Sequence, residues 1–284
     1  MKKYKSLSLL LWMSVFPLPN PNPAVAQTAA DTSEVFHSEN LLKTIGGDFL
    51  HVFSSPLRLT KNDGLRLLTF SAVAGGLVGF GDDHFDEEYA KESHHGILYP
   101  FKQLAEVGQI YDDVSPVYFT AGVSGAALVG GLILKDRKLV TTGRLVLEAA
   151  VMTQILTGWA KGVFGRPRPY TDRGAKHFDL FKFSNNEDFK SLPSGHVSSV
   201  FSTMTVLTKQ YEVWWVEIPA YTIAVAVAFQ RMNSRNHWFS DTVVGGALGY
   251  CVGSTLMNRY SRQLQHSSFT PDLQKNRLGL MVTF

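Results

Sequence analysis

Pro116–Leu134 reads PVYFTAGVSGAALVGGLIL, an unbroken apolar run without a charge, closed by Lys135-Asp136-Arg137-Lys138. It is long enough to be a helix that spans a bilayer or sits in an apolar bundle. Reading outward, the same character returns. Leu139–Ala160 is apolar but carries Arg144 and Glu148. Val197–Thr208 and Val213–Phe229 are joined by Lys209-Gln210-Tyr211-Glu212. Asp241–Met257 places Gly245, Gly249 and Gly253 at four-residue spacing, which lets helix backbones approach closely. Upstream, Leu65–Phe80 is rich in Gly and Ala and leads into the acidic run Asp82–Glu88. A strand-like pattern occurs only in the tail Leu278–Phe284. The fold class is all-α, a bundle of about six apolar helices.

The chain has 284 residues, 45% of them hydrophobic and only 18% charged, and a net charge of +3. A soluble domain carries about a quarter charged residues, so disorder and a charged binding arm are excluded. Lys2, Lys3 and Lys5 are the only charges before residue 27, and without them the chain is neutral. Nucleic-acid binding by counterion release is therefore not expected. Those lysines, the apolar run Ser6–Phe16, the prolines of Pro17–Pro23 and Ala24-Val25-Ala26 form the pattern of an export signal over residues 1–26. The alternative is an uncleaved anchor. Cys251 is the sole cysteine and has no intrachain partner, which suits a bacterial periplasm. Residues 27–64 read as a polar segment and an amphipathic helix broken at Ser54-Ser55-Pro56. Residues 65–257 are the helical domain, and 258–284 a polar C-terminal tail.

Three segments carry chemistry. Lys161-Gly-Val-Phe-Gly-Arg166-Pro167-Arg168-Pro169 follows a long helix and holds three cations. Pro193-Ser194-Gly195-His196 opens a helix whose free N–H groups suit an anion. Arg231-Met-Asn-Ser-Arg235-Asn236-His237-Trp-Phe-Ser-Asp241 spaces His237 and Asp241 by four, on one helical face. A carboxylate on one imidazole nitrogen fixes the tautomer and frees the other for attack. Singly, each has an ordinary structural explanation: a solvated helix end, a capped helix, a structural hydrogen bond.

In this order and spacing the three segments resemble the type 2 phosphatidic acid phosphatase and vanadium-haloperoxidase superfamily, over about residues 115–257. The resemblance implies a helical bundle with all three motifs meeting at one end. It implies substrate-binding roles for Lys161, Arg168, Ser194, Gly195 and Arg231. His237 is the implied nucleophile, His196 the general acid and Asp241 the partner that orients His237. Only Arg168 lies at the family's spacing from Lys161, so Arg166-Pro167 reads as a decoy. The family's small residue before the third-motif arginine is here Gln230. Ser234-Arg235 lies too close to His237 to replace that arginine.

The implied activity is acid-phosphatase-type hydrolysis of phosphate mono- or diphosphate esters, on phosphorylated lipids or small phosphate esters, through a phosphohistidine. No cofactor or metal is expected, since three cations take the place of metal ions. The alternatives are a haloperoxidase, which would hold vanadate on the same residues, and a non-catalytic phosphate-binding relic. His94-His95 with the 82–88 run could suggest a metal cluster, but a solvated loop over the site mouth is the reading adopted. Specificity is assigned to loops at 82–115 and 170–192.

Mean hydropathy is −0.01, yet Pro116–Leu134 and Val213–Phe229 read as long and apolar enough to span. Lys135, Arg137, Lys138, Lys209, Arg259 and Arg262 all fall opposite the motifs, which places the site on the outer face. The expectation is an exported, membrane-associated protein whose site faces the periplasm. The alternative is a soluble periplasmic bundle with Arg144, Glu148 and Glu217 at its surface.

Overall fold

The structure, a computed structural model, describes residues 38–90 and 99–269. The export pattern, His94-His95 and the Leu278–Phe284 tail lie outside the described residues. Within them every regular element is helical. The order is α1 Ser38–Phe53, α2 Lys61–Gly76, α3 Asp82–Ala90, α4 Tyr99–Val114, α5 Pro116–Leu134, α6 Arg137–Phe164, α7 Gly195–Tyr211, α8 Trp214–Asn233 and α9 Phe239–Phe269. A π turn at Leu77–Gly81 runs α2 directly into α3.

Local chemistry sets these boundaries. Thr60 caps α2 in a reciprocal box with Asp63. Pro116 opens α5, and Asp136 caps α6 by accepting from the Leu139 N–H. Gly165 ends α6 at φ +52°, where a Cβ would lie 1.9 Å from the Asp179 carbonyl. The chain can therefore turn straight into the 165–194 loop.

Helix α7 is the axis of the bundle. Val197, Val200, Phe201 and Met204 pack with Tyr111 of α4 and Ala220, Ala224 and Val227 of α8. Val206 joins Leu145, Val146, Ala149 and Met152 of α6 and Val252, Leu256 and Met257 of α9. Being buried on all sides, α7 also buries Ser198, Ser202 and Thr208. Their hydroxyls are satisfied within the helix, for example Ser198 Oγ to Ser194 O at 2.7 Å. The glycine ladder of α9 meets α7. A Cβ at Gly245 would lie 2.7 Å from Ser194 O, and one at Gly249 2.1 Å from Ser198 O. That close approach brings the first turns of α7 and α9 together.

The end of the bundle away from the motifs is tied by charge. Asp48 of α1 is buried and meets Arg259 of α9 at 2.6 Å and Arg144 of α6 at 3.2 Å; Arg144 also meets Glu148 at 2.8 Å. Arg144 and Glu148 are thus not surface charges. Glu148 is buried and Arg144 largely so, each against a partner of opposite charge. The helix continues past Met257, where the sequence suggested a tail, through to Phe269, and Arg259 lies in that extension.

Among the described residues, three stretches are by length and composition apolar enough to cross a membrane: Lys61–Tyr89, Pro116–Leu134 and Arg137–Thr171. Helix α8, expected to be one, is not among them. Glu217 near its start and Gln230 and Arg231 near its end interrupt the apolar run. Leu65, Leu67, Leu68 and Phe80 on the first stretch are exposed, an apolar surface of the kind that marks an interaction with lipid or protein.

Candidate active site

The site forms where four helix ends meet: the C-termini of α6 and α8 and the N-termini of α7 and α9. The first two supply Lys161 and Arg231; the last two are flanked by Ser194-Gly195-His196 and His237. A Cβ on Gly195 would lie 3.5 Å from Lys161 Nζ, which fixes how closely that ammonium approaches the first turn of α7. Arg168 reaches in from the 165–194 loop, held by Glu187 (Nη2 to Oε2, 2.9 Å) and Asn236 (Nη1 to Oδ1, 3.1 Å). Ser194 Oγ and Arg231 Nε are buried and have no hydrogen-bond partner among the described residues. Buried donors left unpaired are costly unless something accepts from them. A tetrahedral oxyanion between α7 and Arg231 would do so.

His237 is 2% exposed, and its Nδ1 lies 2.8 Å from the Ser191 carbonyl. A carbonyl only accepts, so Nδ1 carries the proton and Nε2 keeps its lone pair. Burial, reinforced by Lys161, Arg231 and Arg168, pushes this imidazole down to about 3. It is neutral across any physiological pH, as a nitrogen nucleophile must be. The expected role of Asp241 requires correction. Its Oδ2 is 3.9 Å from Nδ1, too far for a hydrogen bond. Asp241 accepts instead from the Trp238 N–H at 3.0 Å, from Ser191 Oγ and from Arg166 at 2.6 Å. It therefore fixes Ser191 and the turn, and Ser191 O orients the ring.

Arg166 is no decoy. It is fully buried and joins Asp241 (2.6 Å), Asp82 (2.7 Å), Ser240 Oγ (2.7 Å) and the Ala175 carbonyl (2.6 Å). Asp82 in turn accepts from the Ser240 N–H at 2.8 Å. The 82–88 run is thus helix α3, not a solvated loop. Asp82 is 1% exposed because Arg166 pairs with it, and Asp86 holds Arg235 through two bonds of 3.0 and 2.7 Å. That bidentate pair also removes Arg235 from the competition with Arg231.

Sequence reading also missed Asp112, at the end of α4. Its Oδ1 lies 3.1 Å from His196 Nε2 and 2.5 Å from Arg231 Nη1. Its carboxyl is held down near 2 by the His196 hydrogen bond, with Arg231 adding to the effect. His196 is lowered overall by burial, which Asp112 opposes. No signal in the three motifs points to Asp112, which lies 49 or more positions upstream of them. Of the predicted specificity segments, 99–114 is helix α4 and 170–192 is the loop that carries Glu187.

The family model described as "PAP2 superfamily" matches residues 143–265. Similar curated proteins include the lipid A 1-phosphatase of Porphyromonas gingivalis, 34% identical over 259 residues, covering 89% of this chain and 50% of that protein. The lipid A 1-phosphatase of Rhizobium etli is 26% identical, covering 48% of this chain and 59% of its own length. That of Rhizobium johnstonii is 26% identical, at 53% and 64%. The chain thus spans between half and two thirds of the curated relatives it matches. No solved structure matches it. The three motifs thus gather at one end of the helices, within the residues 143–265 that resemble the PAP2 superfamily.

Proposed function

We propose that the chain is a phosphatase acting on lipid-borne phosphate esters through a phosphohistidine, without a metal. The observation that carries this reading is the convergence of one neutral, oriented histidine, a second histidine and three cations on the first turn of α7. The relatives' names favour the 1-phosphate of a lipid A-type glycolipid as the substrate.

In this reading Lys161, Arg168, Arg231 and the α7 N–H groups hold the phosphoryl oxygens as charge spreads over them. His237 Nε2 attacks phosphorus in line; the N–P bond forms as the P–O bond to the alcohol breaks. His196 gives its proton to the departing oxygen. It then takes a proton from the water that attacks the phosphohistidine, releasing inorganic phosphate and restoring His237.

Release of phosphate from lipid A and from p-nitrophenyl phosphate, in EDTA and inhibited by vanadate, is the expected result. Loss of activity in EDTA overturns the metal-free reading. Bromination of a dye with peroxide and vanadate, without phosphate release, favours the haloperoxidase. Neither activity favours a relic.

The membrane reading rests on the three apolar stretches. Helix α1 contacts Arg144, about 25 Å down α6 from Lys161 at 1.5 Å per residue. A bilayer crossed by α2–α3 therefore separates α1 from the site. The cationic cluster around Lys135–Lys138 shares the α1 end, so the site faces outward. Carbonate extraction tests this: release into the soluble fraction overturns it. N-terminal sequencing tests the export pattern. A chain starting at Gln27 would put α1, and with it the Arg144 end of α6, outside, and would overturn this topology.

A further inference from the structure

We infer that Asp112 is the positioning residue that aligns His196 with Arg231 for proton transfer to the leaving group, and that Gln230 is built to hold it. The inference rests on the phosphatase reading above.

The geometry begins in α4. A Cβ on Gly108 would lie 2.4 Å from the Ala226 carbonyl, so α4 crosses α8 in direct backbone contact. One turn later this crossing delivers Asp112 to the end of α8. Gln230, where the family has a small residue, is 3% exposed and points its Nε2 at Gln109 Oε1 (2.9 Å) and Asp112 Oδ2 (3.0 Å). With Oδ2 held by Gln230, Oδ1 is shared between Arg231 Nη1 and His196 Nε2. One carboxylate thus ties together the clamp on the phosphoryl oxygens and the acid that must protonate the oxygen leaving them. The departure at Gln230 is therefore part of the site.

Charge supports the same role. His196 faces Arg231 from α8 and Lys161 from α6, both of which disfavour its protonated form, and burial does the same. Asp112 from α4 is the negative group that opposes them. It also engages Nε2, leaving the second ring nitrogen for the leaving oxygen. Tyr111 beside it packs its ring 6.4 Å from the imidazole, restricting rotation.

The test uses Asp112→Asn in the full chain, assayed on p-nitrophenyl phosphate, whose leaving group needs little protonation, and on an alkyl phosphate, whose leaving group needs it fully. The expected loss in kcat/KM, which reports only the steps up to phosphohistidine formation and so excludes the hydrolysis shared by both esters, is 10²-fold or more on the alkyl ester and under 10-fold on the aryl ester. His196→Ala should show the same split, and adding Asp112→Asn to it should cost less than about 3-fold more. NMR titration should show the His196 imidazole moving to lower pKa in Asp112→Asn. Equal losses on both esters, multiplying losses in the double variant, or an unmoved His196 titration each overturn the assignment. Gln230→Ser should reproduce the split more weakly, which keeps the test open if Asp112→Asn folds poorly. Wild-type protein that releases phosphate from neither ester overturns the phosphatase reading, and the assignment with it.

Discussion

Arg166 and Arg168 stand two residues apart in one loop, yet they belong to different regions. Arg166 lies in a sealed layer beneath the site, with its donors spent on Asp82, Asp241, Ser240 and Ala175. Arg168 lies in the face above that layer, bound by the half-exposed Glu187 and by Asn236. In the lower layer one guanidinium is shared by two carboxylates, every one of these groups has a partner within the protein, and the network sets the shape of the turn that carries His237. In the upper face Lys161, Arg168 and Arg231 outnumber their acidic partners, leaving positive charge for an anion. Buried charge therefore serves two ends here: satisfied, it builds; unsatisfied, it binds.

The comparison can be broken most severely at its centre. His237→Ala should lower phosphate release by on the order of 10⁴-fold or more, with thermal unfolding little changed; full activity in this variant removes the nucleophile assignment. Next, Arg166→Leu leaves Asp82 and Asp241 buried without their cation. It should cost about 3–5 kcal/mol of stability, seen as a large fall in Tm or loss of folded protein in detergent. Arg168→Ala should do the reverse, cutting activity by about 10²–10³-fold, as for the loss of a transition-state donor, while Tm barely moves. If Arg166→Leu and Arg168→Ala proved alike in both assays, the two-layer distinction would be wrong. Smallest is Gly249→Ala, remote from either layer. Its methyl would enter the space of the Ser198 carbonyl and cost about 1–3 kcal/mol by overpacking. Activity per folded molecule should fall only as far as α9 carries the His237 turn away from α7.

Much of the site was legible in order and spacing alone. Lys161, Arg168, Ser194, Gly195, His196, Arg231 and His237 are local to motifs, and each motif borders a helix end that periodicity marks. The glycine ladder was legible for the same reason: a four-residue spacing stays on one helix face. What was not legible depends on partners far away in the chain. Arg166 looked redundant beside Arg168 because its partner Asp82 is 84 positions upstream. The 82–88 run looked solvated because acidic residues usually are, and only the buried Arg166 and the half-buried Arg235 make it otherwise. The soluble alternative put Arg144 and Glu148 at the surface, where Asp48, far upstream in the chain, instead joins them in one cluster.

By itself, then, the sequence determined the helices, their capped ends, the apolar runs and the residue types that border the converging helix ends, because these follow from short-range pattern and covalent spacing. Only the tertiary structure decided which charges are neutralised and which remain available, because that depends on pairings such as those of Arg166, Asp112 and Asp48, across 75 to 211 positions of chain. These place Asp241 under His237 rather than on it, Asp112 between His196 and Arg231, and Asp48 against Arg259. Desolvation makes an unpaired buried charge costly, so packing selects those pairings. No local window of sequence contains both partners.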